Sequence, residues 1–466
     1  MSRVYVAFWF DTEDYVTPQS DDAALRLARI FADQGVQATF KVVGEKARRL
    51  KQRRRKDVIE ALAEHDLGYH TNYHSFPPTV CQYLEGMGWE EGIQEFKRRE
   101  QPGLEDVEEI FGKRCSTYGQ PGSSWAPQAY PALRDWGIPT YVDEGRHVGL
   151  NDQPFWYCGI LNVFRMRSRC TRMRLGGGDN LRQGCEAFDR IHEELTEEGG
   201  GLISIYYHPC EWATTTFWDA VNFGRGKSTP LDQLQIPPLK AEADAERDFT
   251  DFASYLRHVT ESGARAVTCA ELPGLYPDLW APEPLSREAC LCLACGLAEE
   301  VSYQPVRHGW ASAAEAFGVA AEACARLAEG GSKDAPVTGR YLDGPVVRPS
   351  SEEACEVKRA EFLQACVEVR DFMRRTGRVP DEVMVGGHKV SPASFARAAA
   401  RTYTTELQGF APETVQLPRV TLTMENEVIE EGAYGWVILP EGYRAPGLME
   451  LARLQAWTLK PALLRY

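Results

Sequence analysis

Val4-Tyr5-Val6-Ala7-Phe8-Trp9-Phe10-Asp11-Thr12-Glu13-Asp14-Tyr15 is an aromatic, β-rich run that stops at three carboxylates within four positions. Valine and aromatic side chains suit a pleated, half-buried surface, so the run reads as a strand ending in acids. Carboxylates this close repel one another unless a cation or a hydrogen-bond network holds them. They also suit a helix N-terminus, where Asp and Glu accept from free backbone N–H groups. On this segment alone both readings stand.

Outward from it, short β-rich runs alternate with longer helical patterns as far as about residue 275. Strands are expected at residues 4–10, 37–43, 67–70, 116–118, 140–142, 161–166, 202–208 and 264–268. Helices are expected at 22–34, 44–64, 91–110, 183–198 and 245–262. Repeated β-α units mean an α/β fold with a parallel sheet, open or closed into a barrel. Chemistry in such folds collects at the carboxyl ends of the strands. The Pro-rich stretch at 276–284 reads as a linker, dividing a first domain, 1–275, from a second, 285–466. The second has alanine-rich helices at 286–299, 311–328 and 351–376, β-like runs at 419–424 and 434–439, and a last helix near 446–460. That is an α+β texture.

Two other strand ends carry histidine. Residues 67–70 run into His70-Thr71-Asn72-Tyr73-His74, and two imidazoles four apart on one helical face can share a metal ion. Two His and one carboxylate leave positions open for water and substrate, as catalytic sites require. Strand 202–208 ends at His208-Pro209-Cys210-Glu211-Trp212, which makes His208 a candidate acid or base.

Composition narrows the class. The chain has 466 residues, 43% of them hydrophobic and 26% charged, as in globular proteins. With 52 Lys and Arg against 67 Asp and Glu, the net charge is −15, which disfavours a general attraction to nucleic acid or anionic membrane. The run Arg48-Arg49-Leu50-Lys51-Gln52-Arg53-Arg54-Arg55-Lys56 is read as a solvated helix face. Neither a signal-peptide pattern nor a membrane-length apolar run is evident, and the 13 scattered cysteines do not suit a disulfide framework. The expectation is a cytoplasmic protein.

These segments, in this order and with Ala38-Thr39-Phe40 between the first two, resemble the polysaccharide deacetylase (NodB-homology) family over about residues 3–275. The family's Asp pair corresponds to Asp11 with Glu13 or Asp14. Its His-Ser/Thr-x-x-His element matches His70 to His74, and its late Leu-x-x-His element matches residues 204–208. The resemblance implies a distorted (β/α) barrel that removes N- or O-acetyl groups from a carbohydrate with one divalent metal ion, expected to be zinc. Asp11 would be the general base and His208 the acid, with His70, His74 and Glu13 or Asp14 on the metal and Glu13 preferred. Tyr118, Gln120, Trp125 and Trp212 would meet the substrate, and a backbone N–H around 118–120 would hold the oxyanion. The family's third motif has an arginine before Pro-Gly that orients the catalytic Asp. Here Tyr118-Gly119-Gln120-Pro121-Gly122 has Gln120 at that place, without charge. The fourth motif is reduced to Asp143-Glu144, with Arg146 nearby as a substitute cation. Two rival readings are an amide hydrolase acting on a small non-sugar substrate, and a silent carbohydrate-binding or assembly protein.

Residues 360–405, with a Gly377-Arg378-Val379-Pro380 turn and the Gly386-Gly387 pair, resemble a pseudomurein-binding repeat, and 311–340 is a candidate degenerate partner. Glycan recognition and a packing or self-association surface are both open for this region. Cys290, Cys292 and Cys295 read as small buried residues rather than metal ligands.

Overall fold

Alternation along the first strand, β1 (Val4–Thr12), builds the whole sheet. Phe8 and Phe10 turn to one side and pack against Phe31, with Phe40 stacked on Phe10 at 4.9 Å. Burying each such ring is worth about 1.5–3 kcal/mol. Trp9 and Asp11 turn to the opposite, concave face, as the two-residue period of a strand demands. Nine more strands follow: β2 (Thr39–Val42), β3 (Asp66–Tyr69), β4 (Thr117–Tyr118), β5 (Thr140–Val142), β6 (Phe155–Tyr157), β7 (Ile160–Val163), β8 (Cys170–Thr171), β9 (Gly201–Tyr207) and β10 (Arg265–Val267).

The computed structural model describes residues 3–280, 284–332, 335–351 and 353–465. In it these strands and Lys460–Pro461 form one curled, eleven-stranded sheet. Its order is Lys460–Pro461, β6, β7, β5, β4, β3, β2, β1, β9, β8, with β10 beside the first half of β1. Pairing is parallel except between β6 and β7 and at Lys460–Pro461. The edges β8 and Lys460–Pro461 do not pair with each other among the described residues, so this is an open, distorted barrel. Helices Pro18–Asp33, Gly44–Gln52, Trp89–Phe111, Asn180–Glu197 and Glu242–Glu261 lie between the strands in sequence, as the repeated β-α pattern requires. No helix among the described residues is long and apolar enough to cross a membrane.

Several expectations change. The helix expected at 44–64 is two, Gly44–Gln52 and Lys56–Ala63, broken at Arg54 with φ 58°. In the basic run around that break Arg48, Arg49, Lys51, Arg53, Arg55 and Lys56 all face carboxylates, so the charge is locally neutralised. Residues 434–439 are not a strand. Their polar groups go instead to the loop after β4, Tyr434 Oη donating to the Trp125 carbonyl and Trp436 N to Ser123 Oγ. Residues 419–424 likewise form no strand. Cys290 is buried as expected, whereas Cys292 and Cys295 are exposed.

The expected linker, of which 281–283 lie outside the described residues, does not separate two independent bodies. Lys460–Pro461 extends the main sheet by pairing with Phe155 and Trp156. Arg134 makes a two-pronged contact with Asp343 at 2.9 and 2.8 Å, and Thr458 Oγ1 accepts from Cys158 N at 2.8 Å. One apolar core runs through both halves. The later half contains two helix–hairpin–helix units. Arg359–Thr376 and Pro392–Leu407 flank the hairpin Val383–Val385 and His388–Val390, while Arg287–Glu299 and Ala313–Ala328 flank Gln304–Val306 and Gly309–Ala311. The partner unit therefore lies earlier than 311–340.

We expect a chain cut after residue 280 to be insoluble, or to lose cooperative unfolding, because the cut removes an edge strand and exposes core. Calorimetry and a soluble-yield comparison with the full chain check this; a soluble, cooperatively folding fragment would refute it.

Candidate metal and acid–base centre

Every polar group at the centre comes from the concave face at the carboxyl ends of parallel strands. Asp11 on β1 lies in register with Lys41 on β2. His70 follows β3, Asp143 follows β5 and His208 follows β9. Asp11, Glu13, His74, Asp143 and His208 line a cavity of about 670 Å³, closed on one side by Trp436 and Val437 from the far end of the chain.

The Glu13, His70 and His74 donor atoms lie within 4.8 Å of one another, the one such group among the described residues. All three side chains are buried. His70 Nδ1 is 2.9 Å from the Gly119 carbonyl, which fixes the proton there and leaves the Nε2 lone pair facing the centre. Burial holds His70 below its usual pKa despite the nearby Asp11 carboxylate, so the imidazole is kept neutral, the form that binds metal. Glu13 Oε2 is 2.7 Å from His74 Nε2 and 3.8 Å from His70 Nε2, while Trp218 Nε1 donates to Glu13 Oε1 at 3.1 Å. Burial opposes the Glu13 charge, but His74 and His70 outweigh it and hold the carboxyl well below its usual range. His70 Nε2 and His74 Nε2 are both buried and both face the Glu13 carboxylate. Two buried imidazole nitrogens and a carboxylate oxygen converging in this way suit one divalent cation.

The two histidines are not on a helix. Thr71 and His74 have φ of 64° and 54°. The carbonyls of Thr71 and Asn72 accept from Gly44 N and Glu45 N, both at 2.9 Å, and so cap the start of helix Gly44–Gln52. The buried Glu100 carboxylate takes the Asn72 N–H at 2.7 Å. A loop pinned at these points brings the rings to 4.9 Å.

Asp14 turns away. Its Oδ1 accepts from Val16 N and Thr17 N at 2.9 and 3.0 Å, ahead of helix Pro18–Asp33. Thus the acids divide: Asp14 closes the turn that leads into the helix, and the metal reading fits Glu13.

Asp11 Oδ1 is 2.8 Å from Lys41 Nζ and 3.6 Å from His70 Nε2; its Oδ2 is 3.6 Å from His208 Nε2. Burial would raise its pKa, but His70, Lys41 and His208 lower it, so Asp11 stays ionised. Lys41 is the cation that the Gln120 segment lacks. Arg146 is exposed at the cavity wall, whereas Lys41 occupies the position beside Asp11. A charge inside the apolar stretch Ala38-Thr39-Phe40-Lys41-Val42-Val43 was the sequence signal for it.

His208 Nδ1 is 2.8 Å from Glu211 Oε1, and Arg172 Nη1 donates to the same oxygen at 2.8 Å. Burial works against the His208 charge, but Glu211, Glu13 and Asp11 overcome it and raise its pKa to about 9. Asp143, raised to about 8 chiefly by burial, is 3.5 Å from Lys41.

The four expected substrate residues are placed elsewhere. Gln120 is buried, donating to Asp143 Oδ1 at 3.0 Å and accepting from Tyr141 Oη at 2.6 Å, so it steadies Asp143 without lining the cavity. Tyr118 lies in the core between Tyr69 and Tyr141. Trp125 stacks on His147, and Trp212 packs among Tyr207, Phe249 and Phe252. All are fully buried, because aromatic rings at strand ends gain more from the core than from the rim. Of the backbone N–H groups around 118–120 expected near an oxyanion, that of Gly119 is bonded to the Tyr69 carbonyl at 3.2 Å. The cavity wall instead presents Trp9, Tyr206, Phe217 and Trp436.

No protein-family model and no curated protein sequence matches this chain. Solved structures do. A candidate polysaccharide deacetylase from Mycobacterium smegmatis aligns at 14% identity over 57% of this chain and 87% of its own, with a TM-score of 0.39. A family 4 carbohydrate esterase from Streptomyces lividans, in complex with acetate, aligns at 13% over 57% and 93%, with a TM-score of 0.31. A CE4 family pseudoenzyme from Bacillus anthracis aligns at 12% over 58% and 65%, with a TM-score of 0.31.

His70→Ala, His74→Ala and Glu13→Gln should each lower bound metal in the purified protein, while Asp14→Asn should keep it. Elemental analysis reads this directly, and metal lost with Asp14→Asn alone would reverse the assignment. Glu211→Gln should lower the His208 pKa from about 9 towards its ordinary 6.5, followed by NMR on metal-free protein. Since the folded-state pKa is the higher one, stability from this proton is full below about 6.5 and lost as pH rises through about 9. The variant should show less of that alkaline loss.

Proposed function

We propose that the chain is a metal-dependent hydrolase that removes an acetyl group from an N- or O-acetylated carbohydrate. The carrying observation is that Asp11 sits 3.6 Å from His70 Nε2 on one side and 3.6 Å from His208 Nε2 on the other. A base is thereby held between a metal-binding group and an acid. Glu13, His70 and His74 would hold the ion, which when bound supplies Lewis acidity to polarise the acyl carbonyl and acidify water.

Asp11, kept ionised by Lys41, takes a proton from the attacking water. His208, kept charged by Glu211, gives a proton to the departing nitrogen or oxygen. Asp143, pushed up to about 8 chiefly by burial, holds its proton more tightly than Asp11 and so adds less negative charge beside it. Tyr206 and Trp436 offer apolar faces of the kind that pack on sugar rings. Thirteen free cysteines support a reducing, cytoplasmic setting.

A second reading, amide hydrolysis of a small non-sugar substrate, is favoured by one feature. Gly432, Ala433, Gly435, Trp436 and Val437 wall one side of the cavity, whose volume of about 670 Å³ is that of a small-molecule site. Acetate release against ammonia release from a substrate panel separates the two.

The full-length, metal-loaded chain should release acetate from acetylated sugars. Asp11→Asn should retain metal and lose about 10²–10⁴-fold in kcat, the scale of a deleted general base. Lys41→Met should raise the Asp11 pKa, because an attractive cation is gone, and move the acid limb of the pH–rate profile upward. Full turnover by Asp11→Asn, or none by the wild-type chain across the panel, would defeat the proposal.

A further inference from the structure

Arg165, Arg167, Arg169, Arg172 and Arg174 fall within ten residues of a chain whose formal net charge is −15. Three are held by the protein itself. Arg169 pairs with Glu194 and Glu198 at 2.8 and 2.5 Å, Arg172 with Glu211 at 2.8 Å, and Arg165 Nη1 donates to the Glu427 carbonyl at 3.1 Å. The exposed side chains of Arg167 and Arg174 have no hydrogen-bond or ion-pair partner among the described residues. The other basic run, around Arg54, has a carboxylate for nearly every cation.

Arg167, Arg172 and Arg174 line one cavity of about 520 Å³. Asp143, Glu144 and Tyr206 line both this cavity and the one that holds Asp11, Glu13 and His208, so the two share a wall. The acids in that wall do not cancel the arginines. Asp143 is pushed up to about 8 chiefly by burial, and Glu144, which accepts from the neutral Tyr206 Oη and keeps its charge, is one carboxylate against the two unpaired guanidinium groups of Arg167 and Arg174. Guanidinium groups present paired N–H donors that match the oxygens of a carboxylate or phosphate. Like charges crowded in one cavity repel until an anion enters.

We propose that this second cavity is a subsite for an oxyanion, a carboxylate or phosphate carried by the same substrate whose acyl group is cleaved beside Asp11. The link to cleavage rests on the hydrolase reading above; the anion site does not. Its test has two arms. Inorganic phosphate titrated calorimetrically into the full-length chain should bind, and should bind His70→Ala equally. It should bind Arg167→Ala/Arg174→Ala at least about tenfold more weakly, since charge-assisted hydrogen bonds are lost. Absence of phosphate binding, or equal binding by the arginine variant, overturns the anion site.

In the second arm, hydrolysis is compared for a neutral acetylated amine and for matched compounds bearing a carboxylate or a phosphate. The arginine variant should raise KM about tenfold for the anionic member the site prefers, with the neutral member unchanged. Unchanged KM for all three overturns the assignment to substrate and leaves a separate anion site. Hydrolysis of none refutes the enzyme reading, and with it the link to cleavage, while the phosphate arm still decides the anion site.

Discussion

The Lys41–Asp11 contact is the constraint around which the concave face is arranged. Both groups are buried, and a charge removed from water is tolerated only when it is closely paired. The register of β1 against β2 fixes the pair at 2.8 Å. Its surroundings are cut to fit the ammonium. A Cβ on Gly119 would stand 2.1 Å from Lys41 Nζ, and one on Gly68 would stand 2.7 Å from Lys41 Cγ, so neither position has room for a side chain. The Val142 carbonyl accepts from Nζ at 2.8 Å, and the Trp9 ring lies 4.2 Å below it. Breaking such a buried pair costs about 3–5 kcal/mol, because the partner left behind stays charged in the interior.

That pair also separates groups that would otherwise behave alike. Asp11 and Asp143 both approach Lys41, but Asp11 has the shorter contact and two imidazoles besides. It keeps its charge while Asp143 is pushed up to about 8. Among the histidines, burial holds His70 neutral while a carbonyl fixes its tautomer, whereas His208 meets Glu211 and holds its proton to about pH 9. One carboxylate poised to accept, one imidazole poised to give and one with a free lone pair are what acid–base hydrolysis requires.

How much of this was legible in the sequence follows the range of the forces involved. Strands announced themselves by local alternation, and Asp11, His70 and His208 by standing where those strands stop. The choice between Glu13 and Asp14 needed the backbone, since it turns on which carboxylate meets the N–H groups of Val16 and Thr17. Lys41 was visible as a charge in an apolar strand, but its role needed the register with β1. Tyr118, Trp125 and Trp212 misled because an aromatic beside a motif carries no mark of which way it points. Trp436 was beyond reach, some 360 residues from His74 in sequence yet edge-to-face with it at 5.4 Å.

Trp436 shows why the two halves form one unit. Its indole N–H reaches Asp219 at 3.1 Å, its backbone N–H reaches Ser123, and its ring fills the space over Gly122, where a Cβ would come within 2.3 Å. A wall built this way needs the later half to hold still. The paired helix–hairpin–helix units supply that rigidity, with Phe395 wedged between Phe317 and Phe362. From this block the chain returns to wall the cavity at 432–437 and to finish the sheet at Lys460–Pro461. The later half is thus occupied, on this packed face, with completing the wall of the cavity.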